Sequence, residues 1–256
     1  DAVSYDPVIG LELMPGTPYE SVRLPEQHTK WAPFDQHVES YQDHAAEVLA
    51  MVEQSLPWYR FVLRQLGKRW RMPLVEMEQW LRICVLWHDA GKLTDAWQRC
   101  AARWQAEAVR RPTRHGVLAR IDYQTARHGP FPCGDHANTS GYALIRAISV
   151  LLENRPALQQ GTLAAIMHHH GVITPRPPDL TPHPEAWATL LDVATPVIDD
   201  RLLKRIDRMG WTASLRGNPE VPRHPPVDPD GWMAYALLSR AMRLADRDLA
   251  VGVVAR

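Results

Sequence analysis

Leu81-Arg82-Ile83-Cys84-Val85-Leu86-Trp87-His88-Asp89-Ala90-Gly91-Lys92 is the stretch on which the reading of this chain turns. Its apolar run predicts a helix from Pro73 or Leu74 to His88. The run stops on His88-Asp89. An adjacent His-Asp pair at a helix end presents an imidazole nitrogen and a carboxylate oxygen about 100° apart around the axis, and such a pair can hold a metal. Gly91 lets a backbone or a phosphate come close. In a chain with 12 histidines one such dipeptide is expected by chance, so the weight falls on where the other histidines stand.

They form an ordered series. From Gln36 to about Leu56, Val38, Ala45, Val48, Leu49 and Val52 recur at helical spacing, and Pro57 is expected to end that helix, which carries His44. Thr94-Asp95 is a plausible cap for a helix from Ala96 to about Val109. Arg110 to Asp135 reads as an irregular loop, with a helix starting near His136. Gly141 to Glu153 and Leu158 to His168 are two apolar stretches separated by Asn154-Arg155-Pro156, the second running into His168-His169-His170-Gly171. Glu185 to about Met209 reads as helix with breaks, and a last helix from Gly231 to about Val251 carries Ser239, Met242 and Asp246 on one stripe. Residues 1–34 hold five prolines and no helical period, so they read as an extended segment or linker ahead of a domain over 35–256. The fold class expected is all-α.

The composition removes several functions. Lys plus Arg and Asp plus Glu stand at 29 each, so no global basic field exists and any polyanion must be gripped locally. Cys84, Cys100 and Cys133 are odd in number and lack a CxxC spacing, so they are expected to be free thiols in a reducing cytoplasm. No apolar run approaches the roughly 18 to 20 residues of a bilayer span. A lone helical histidine is usually a hydrogen-bonded structural residue. Three neighbouring imidazoles at a helix end are costly to bury neutral unless a metal, or solvent at a loop tip, satisfies them.

The joint pattern resembles the HD nuclease domain of the CRISPR-associated helicase-nuclease of type I systems. The likeness is carried by Tyr41 to Val48, Trp87-His88-Asp89-Ala90-Gly91-Lys92, His136-Ala137-Asn138-Thr139-Ser140-Gly141, Ala165 to Gly171, and Ser239 to Asp246. Carried over residue by residue, the resemblance implies one metal on His44, His88, Asp89 and Asp246. Asp89 then bridges to a second metal on His136, His169 and His170. In the family's motif the paired histidines directly precede Gly, which selects His169 and His170 and leaves His168 as an extra; His37, one heptad before His44, is the other open position. Arg247-Asp248 departs from the aromatic and small residues that usually follow the last Asp.

Two cations roughly 3.5 to 4 Å apart clamp a phosphodiester and generate hydroxide near neutral pH. Imidazole-rich ligation favours Mn, Fe, Co or Ni over Mg, which prefers oxygen. The resemblance therefore implies a metal-dependent nuclease acting on single-stranded DNA in CRISPR interference, with a helicase domain or subunit and an RNA-guided surveillance complex as partners. Lys92, Arg114 and Ser239 are the candidates for touching substrate, with Lys92 placed to meet a phosphate oxygen. Arg110, Arg111, Arg120 and Arg127 extend a local basic groove, and Trp87 is the candidate base-stacking residue; Trp70, Trp80, Trp97 and Trp104 read as core. No GxxxxGK(S/T) phosphate loop occurs in the sequence, so this domain is expected to cut single strands without unwinding duplex. Two other readings stand beside it: an HD phosphohydrolase of nucleotides or cyclic dinucleotides, and a degenerate HD scaffold module.

Overall fold

A computed structural model describes residues 3–6, 10–13, 38–107, 116–121, 133–134, 136–170, 179–212 and 224–251. Contacts divide the chain into Asp1–Pro33 and Phe34–Arg256. In the first unit β1 (Val3–Asp6) and β2 (Gly10–Leu13) form an antiparallel pair with Val3 opposite Leu13 and Asp6 opposite Gly10. The sequence reading had only an extended segment there. Four residues of alternation per strand are too few to declare a period of two, and the pairing is what reveals it.

The second unit is helical, as expected from the sequence. After β3 (Glu39–Ser40) come α1 (Tyr41–Trp70), α2 (Leu74–Trp87), a 3₁₀ turn (Ala90–Leu93), α3 (Asp95–Glu107) and β4 (Leu118–Arg120). Then follow α4 (His136–Leu151), α5 (Pro156–Met167), α6 (Ala186–Ala194), α7 (Asp200–Asp207) and α8 (Pro229–Val251). Helix α1 differs from the expectation at both ends. It begins at Tyr41 because Ser40, in extended conformation, caps it by accepting from the Asp43 amide. It also runs through Pro57. Proline removes one amide donor, but Pro57 and Glu53 lie on the exposed side, where water can take the freed carbonyl, and the apolar stripe resumes with buried Leu63, Gly67 and Trp70.

Helix α2 is the centre of the core. Met77, Trp80, Leu81, Ile83, Cys84, Val85, Leu86 and Trp87 are all buried, so the helix is covered on nearly every side. Helix α1 packs along it, and α6 and α8 lie against it as well. Tryptophan indoles tie the layers: Trp80 donates to Thr162 of α5 and Trp87 to the Leu190 carbonyl of α6. Trp87 is thus wholly buried and bonded, which overturns its reading as a base-stacking residue. Trp70, Trp80 and Trp97 are core, as read from sequence.

Two close approaches aim the helix ends. The carbonyl of Gly231 in α8 occupies the space that a Cβ on Gly161 of α5 would need. Further along, Arg243 of α8 donates to the carbonyls of His168 and His169 just past the end of α5. The two helices therefore run in the same direction and deliver their C-terminal ends to one place.

The cysteines correct another expectation. Cys100 of α3 and Cys133 form a disulfide with a Cα–Cα span of 5.5 Å, inside a small cluster with Trp97, Ala101, Leu118 and Ile121. Only Cys84 is a free thiol among the described residues, and burial pushes its pKa well up. Counting residues and looking for CxxC misses a pair separated by 33 positions that only tertiary folding brings together. The expectation of free thiols thus holds for Cys84 alone, and the cysteines no longer argue for a reducing compartment.

Candidate metal centre

Helix ends supply the inner residues. His88 follows the last residue of α2, and its Nδ1–H donates to the Val85 carbonyl at 2.6 Å. His169, just beyond α5, repeats the device on the Ile166 carbonyl at 2.6 Å. Carbonyls in the last turn of a helix lack an intrahelical partner, so the fold spends them on fixing two imidazoles. With Nδ1 carrying the proton, each Nε2 is left as a lone pair pointing inward.

Asp89 sits at the meeting point, with 2% exposure. Its Oδ1 lies 3.1 Å from His136 Nε2, 3.2 Å from His169 Nε2 and 3.5 Å from His88 Nε2. Its Oδ2 faces His44 Nε2 at 3.3 Å and the Lys92 ammonium. His170 Nε2 and His136 Nε2 converge to 2.9 Å. Two sets of candidate ligands result, each with its donor atoms within 4.8 Å of one another: Asp89, His136, His169 and His170 in one, His44, His88 and Asp246 in the other.

The donor set fits divalent metal. Nε2 of His44, His88 and His169 and Oδ1 of Asp89 are buried without a hydrogen-bond partner. His88 and His169 Nε2 stand 3.5 and 3.2 Å from Oδ1 and His44 Nε2 stands 3.3 Å from Oδ2, in geometries that make no hydrogen bond, which is what lone pairs directed at a common point look like. Leaving buried acceptors unsatisfied costs about 1 to 3 kcal/mol each, and a cation satisfies several at once. Two ligands held about 2.1 Å from one ion are separated by roughly 3 Å when at right angles, close to the His136–His170 spacing.

Electrostatics keeps these groups in ligating form. Burial pushes His88 down to about 4 and His136 down to about 3, against a partial pull upward from Asp89. His170 is lowered, also by burial. His44 goes the other way: burial lowers it, but Asp89 and Glu39 together raise it past the ordinary value. For Asp89 burial acts upward, and His88, Lys92 and His136 more than offset it, holding the carboxyl well below the usual range.

Around the ligands the local sequence explains the placement. Gly91 donates its amide to the Ser140 hydroxyl at 2.7 Å, and that hydroxyl donates to the His136 carbonyl at 2.8 Å. The close approach that Gly91 permits is thus to the chain's own α4, which seats His136 against Asp89. Lys92 is buried and ion-paired with Asp89 rather than solvated. His168 belongs to neither ligand set; its ring packs edge-on against Tyr235 at 5.9 Å. Ser239 is buried two turns before Asp246, and no hydrogen bond or ion pair joins it to the ligands among the described residues.

A family model described as Cas3, HD domain, matches residues 24–239, well over half of the chain. The chain belongs to this family. The Cas3 HD domain is a metal-dependent hydrolase of CRISPR systems, working with a Cas3 helicase and a CRISPR complex. No curated protein matches the sequence. The family match stops at Ser239, so the place of Asp246 in the second ligand set is read from geometry alone.

Some expectations lie elsewhere or outside. Arg114, His37, Arg110, Arg111 and Arg127 fall outside the described residues. Arg120 is described and is engaged: its guanidinium stands 3.5 Å from Glu39 and 3.4 Å from Asp246, so it is not a free member of a basic groove. Glu39, which no sequence motif singled out, lies 3.3 Å from His44 Nδ1; a carboxylate five residues before a ligand is a signal visible only once β3 is known. A cavity of about 750 Å³, lined by Trp70, Arg71, Trp80, Arg155, Arg201 and Arg205 among others, contains none of the ligands. Its size does not make it the reactive site, because no cluster of metal-ligating groups among the described residues opens into it. No helix among the described residues is long and apolar enough to cross a membrane.

Proposed function

We propose that this domain is a cytoplasmic nuclease that hydrolyses phosphodiesters of single-stranded DNA during CRISPR interference, using a dinuclear centre. The ligands are His44, His88, Asp89 and Asp246 on one side and Asp89, His136, His169 and His170 on the other. The observation that carries the reading is the shared carboxylate: Asp89 turns one oxygen to His136 and His169 and the other to His44. When bound, two cations supply Lewis-acid activation of the scissile phosphate and of the attacking water. The imidazole-rich set favours Mn, Fe, Co or Ni over Mg.

The chain's own groups have defined tasks in this reading. Neutral His88 and His136 offer lone pairs at any pH near 7 because burial keeps protons off them. Asp89 spaces the two sets and offsets their charge. Lys92 is ion-paired with Asp89 Oδ2, and beside bound ions its ammonium would be within reach of a phosphate oxygen. Partners are the Cas3 helicase and, beyond the family's own description, an RNA-guided surveillance complex that exposes the single strand.

The deciding experiment is cleavage of circular single-stranded DNA by metal-stripped protein resupplied with Mn, Ni, Co or Mg, beside Asp89→Ala and a panel of nucleotides. Cutting of the circle that requires a transition metal and disappears in Asp89→Ala is the expected result. Nucleotide hydrolysis without strand cleavage would replace this reading with that of a small-molecule phosphohydrolase.

A further inference from the structure

We propose that Glu39 is a positioning residue for the metal set containing His44, delivered to its place by the two-stranded β3–β4 ladder. The inference rests on the dinuclear reading and deepens it. Of the ligand histidines with a described Nδ1 contact, His88 and His169 lean on backbone carbonyls in their own helices. His44 stands in the first turns of α1 and has no such carbonyl bonded to it. Facing its Nδ1 is instead Glu39 Oε2, at 3.3 Å, in ion-pair range though not aligned as a hydrogen bond. A carboxylate behind a ligand imidazole fixes its tautomer and raises the basicity of the ligating nitrogen.

The ladder exists to hold that carboxylate. Glu39 pairs with Arg120 and Ser40 with Leu118, with a register shift between the two pairs, and the Tyr41 amide extends the pairing by donating to the Val117 carbonyl at 2.8 Å. Gln98 pins β4 from below, accepting from the Leu118 amide and donating to the carbonyls of Leu118 and Lys92. Across the ladder Arg120 lies against Glu39 and reaches Asp246 as well. Both residues therefore address the set His44, His88 and Asp246. Neither has an ion pair with Asp89, His136, His169 or His170 among the described residues. Each set thus holds one histidine fixed by a helix-end carbonyl, His88 in one and His169 in the other, and among the described residues the set with His44 has in addition a side-chain carboxylate carried by a strand.

The test is metal binding rather than turnover. Metal-stripped wild type, Glu39→Ala, Glu39→Gln, His44→Ala and the His44→Ala/Glu39→Ala double variant are titrated with Mn(II) by equilibrium dialysis and elemental analysis, with unfolding curves of the metal-free forms alongside. The expected result is two ions per chain in wild type and a loss of about 10- to 100-fold in affinity for one of them in Glu39→Ala. Glu39→Gln, which keeps an acceptor for Nδ1–H, recovers part of it, and the double variant binds no worse than His44→Ala. Two ions bound with unchanged affinity in Glu39→Ala would overturn the proposal while leaving the dinuclear centre standing. Equal weakening of both ions would overturn it in favour of a general structural role. One ion in wild type would overturn the dinuclear reading and this inference with it.

Discussion

Gly91 and His136 are in contact through space that belongs to a side chain: a Cβ on Gly91 would fall inside the carbonyl oxygen of His136 and 2.8 Å from the Ser140 amide. Both obstacles are backbone of α4, so neither can rotate away. Gly91→Ala is expected to destabilise the fold by about 1 to 3 kcal/mol through overpacking and to move His136 away from Asp89. The readouts are the midpoint of thermal unfolding and the number of Mn(II) ions retained. An unchanged count of ions would mean that the Gly91 contact does not set the position of His136.

Asp89 and Lys92 form a buried ion pair beside the ligands. Asp89→Asn leaves the Lys92 ammonium buried without its counter-charge, a change that costs about 3 to 5 kcal/mol when one partner of a buried pair is removed. Adding Lys92→Met is expected to return most of that stability while metal binding stays abolished. Denaturant unfolding of the three metal-free proteins checks this; a single variant as stable as wild type would contradict the pairing.

Acid should weaken the metal-free protein well before its carboxylates titrate. His88 and His136 are held at about 4 and about 3 against 6.5 unfolded, chiefly by burial. Between 6.5 and those values the unfolded chain binds protons that the folded chain refuses. Their stabilisation is therefore complete above pH 6.5 and is lost as pH falls, by roughly 2 kcal/mol for each group at pH 5. His44 works in the opposite sense, since its raised value gives stability present below 6.5 and lost as pH rises through it. His170 is lowered as well, so three lowered groups stand against one raised; unfolding at pH 5 is expected at a lower temperature than at pH 7, and a higher midpoint at pH 5 would refute the balance.

The Cys100–Cys133 disulfide closes a loop with a separation of 33 residues. A loop of that length is worth about 4 kcal/mol in unfolded-state entropy. Dithiothreitol should lower the unfolding midpoint of wild type and leave Cys133→Ser, already lowered, unmoved. Because Cys133 stands three residues before His136, reduction is also expected to weaken the ion bound by the His136 set more than the other.

The helices of the domain were legible because their apolar periods are long: α2, α3, α5 and α8 begin and end within a few residues of where caps, prolines and periodicity put them. Pro57 misled because a proline reads as a stop until its exposed setting is known. The strands were too short to show alternation, and the disulfide has no local signature. The ligand candidates were visible as an ordered series of motifs, and the structure brings His44, His88, Asp89, His136, His169, His170 and Asp246 into two adjoining clusters. What surrounds them was not legible. Glu39, Gln98 and Arg243 act through strand pairing and helix-end carbonyls, relationships that no short sequence window contains, and Trp87 stands beside His88 in sequence yet faces α6.

The candidate ligands span the domain from the first turns of α1 to the far end of α8. On the proposed assignment the set His44, His88 and Asp246 lacks a member until residue 246 has left the ribosome. On that assignment both ligand sets are complete only when the whole helical unit has been made and has closed. Truncation within α8 ahead of Asp246 would open one ligand set and remove buried core side chains such as Ala245 with it.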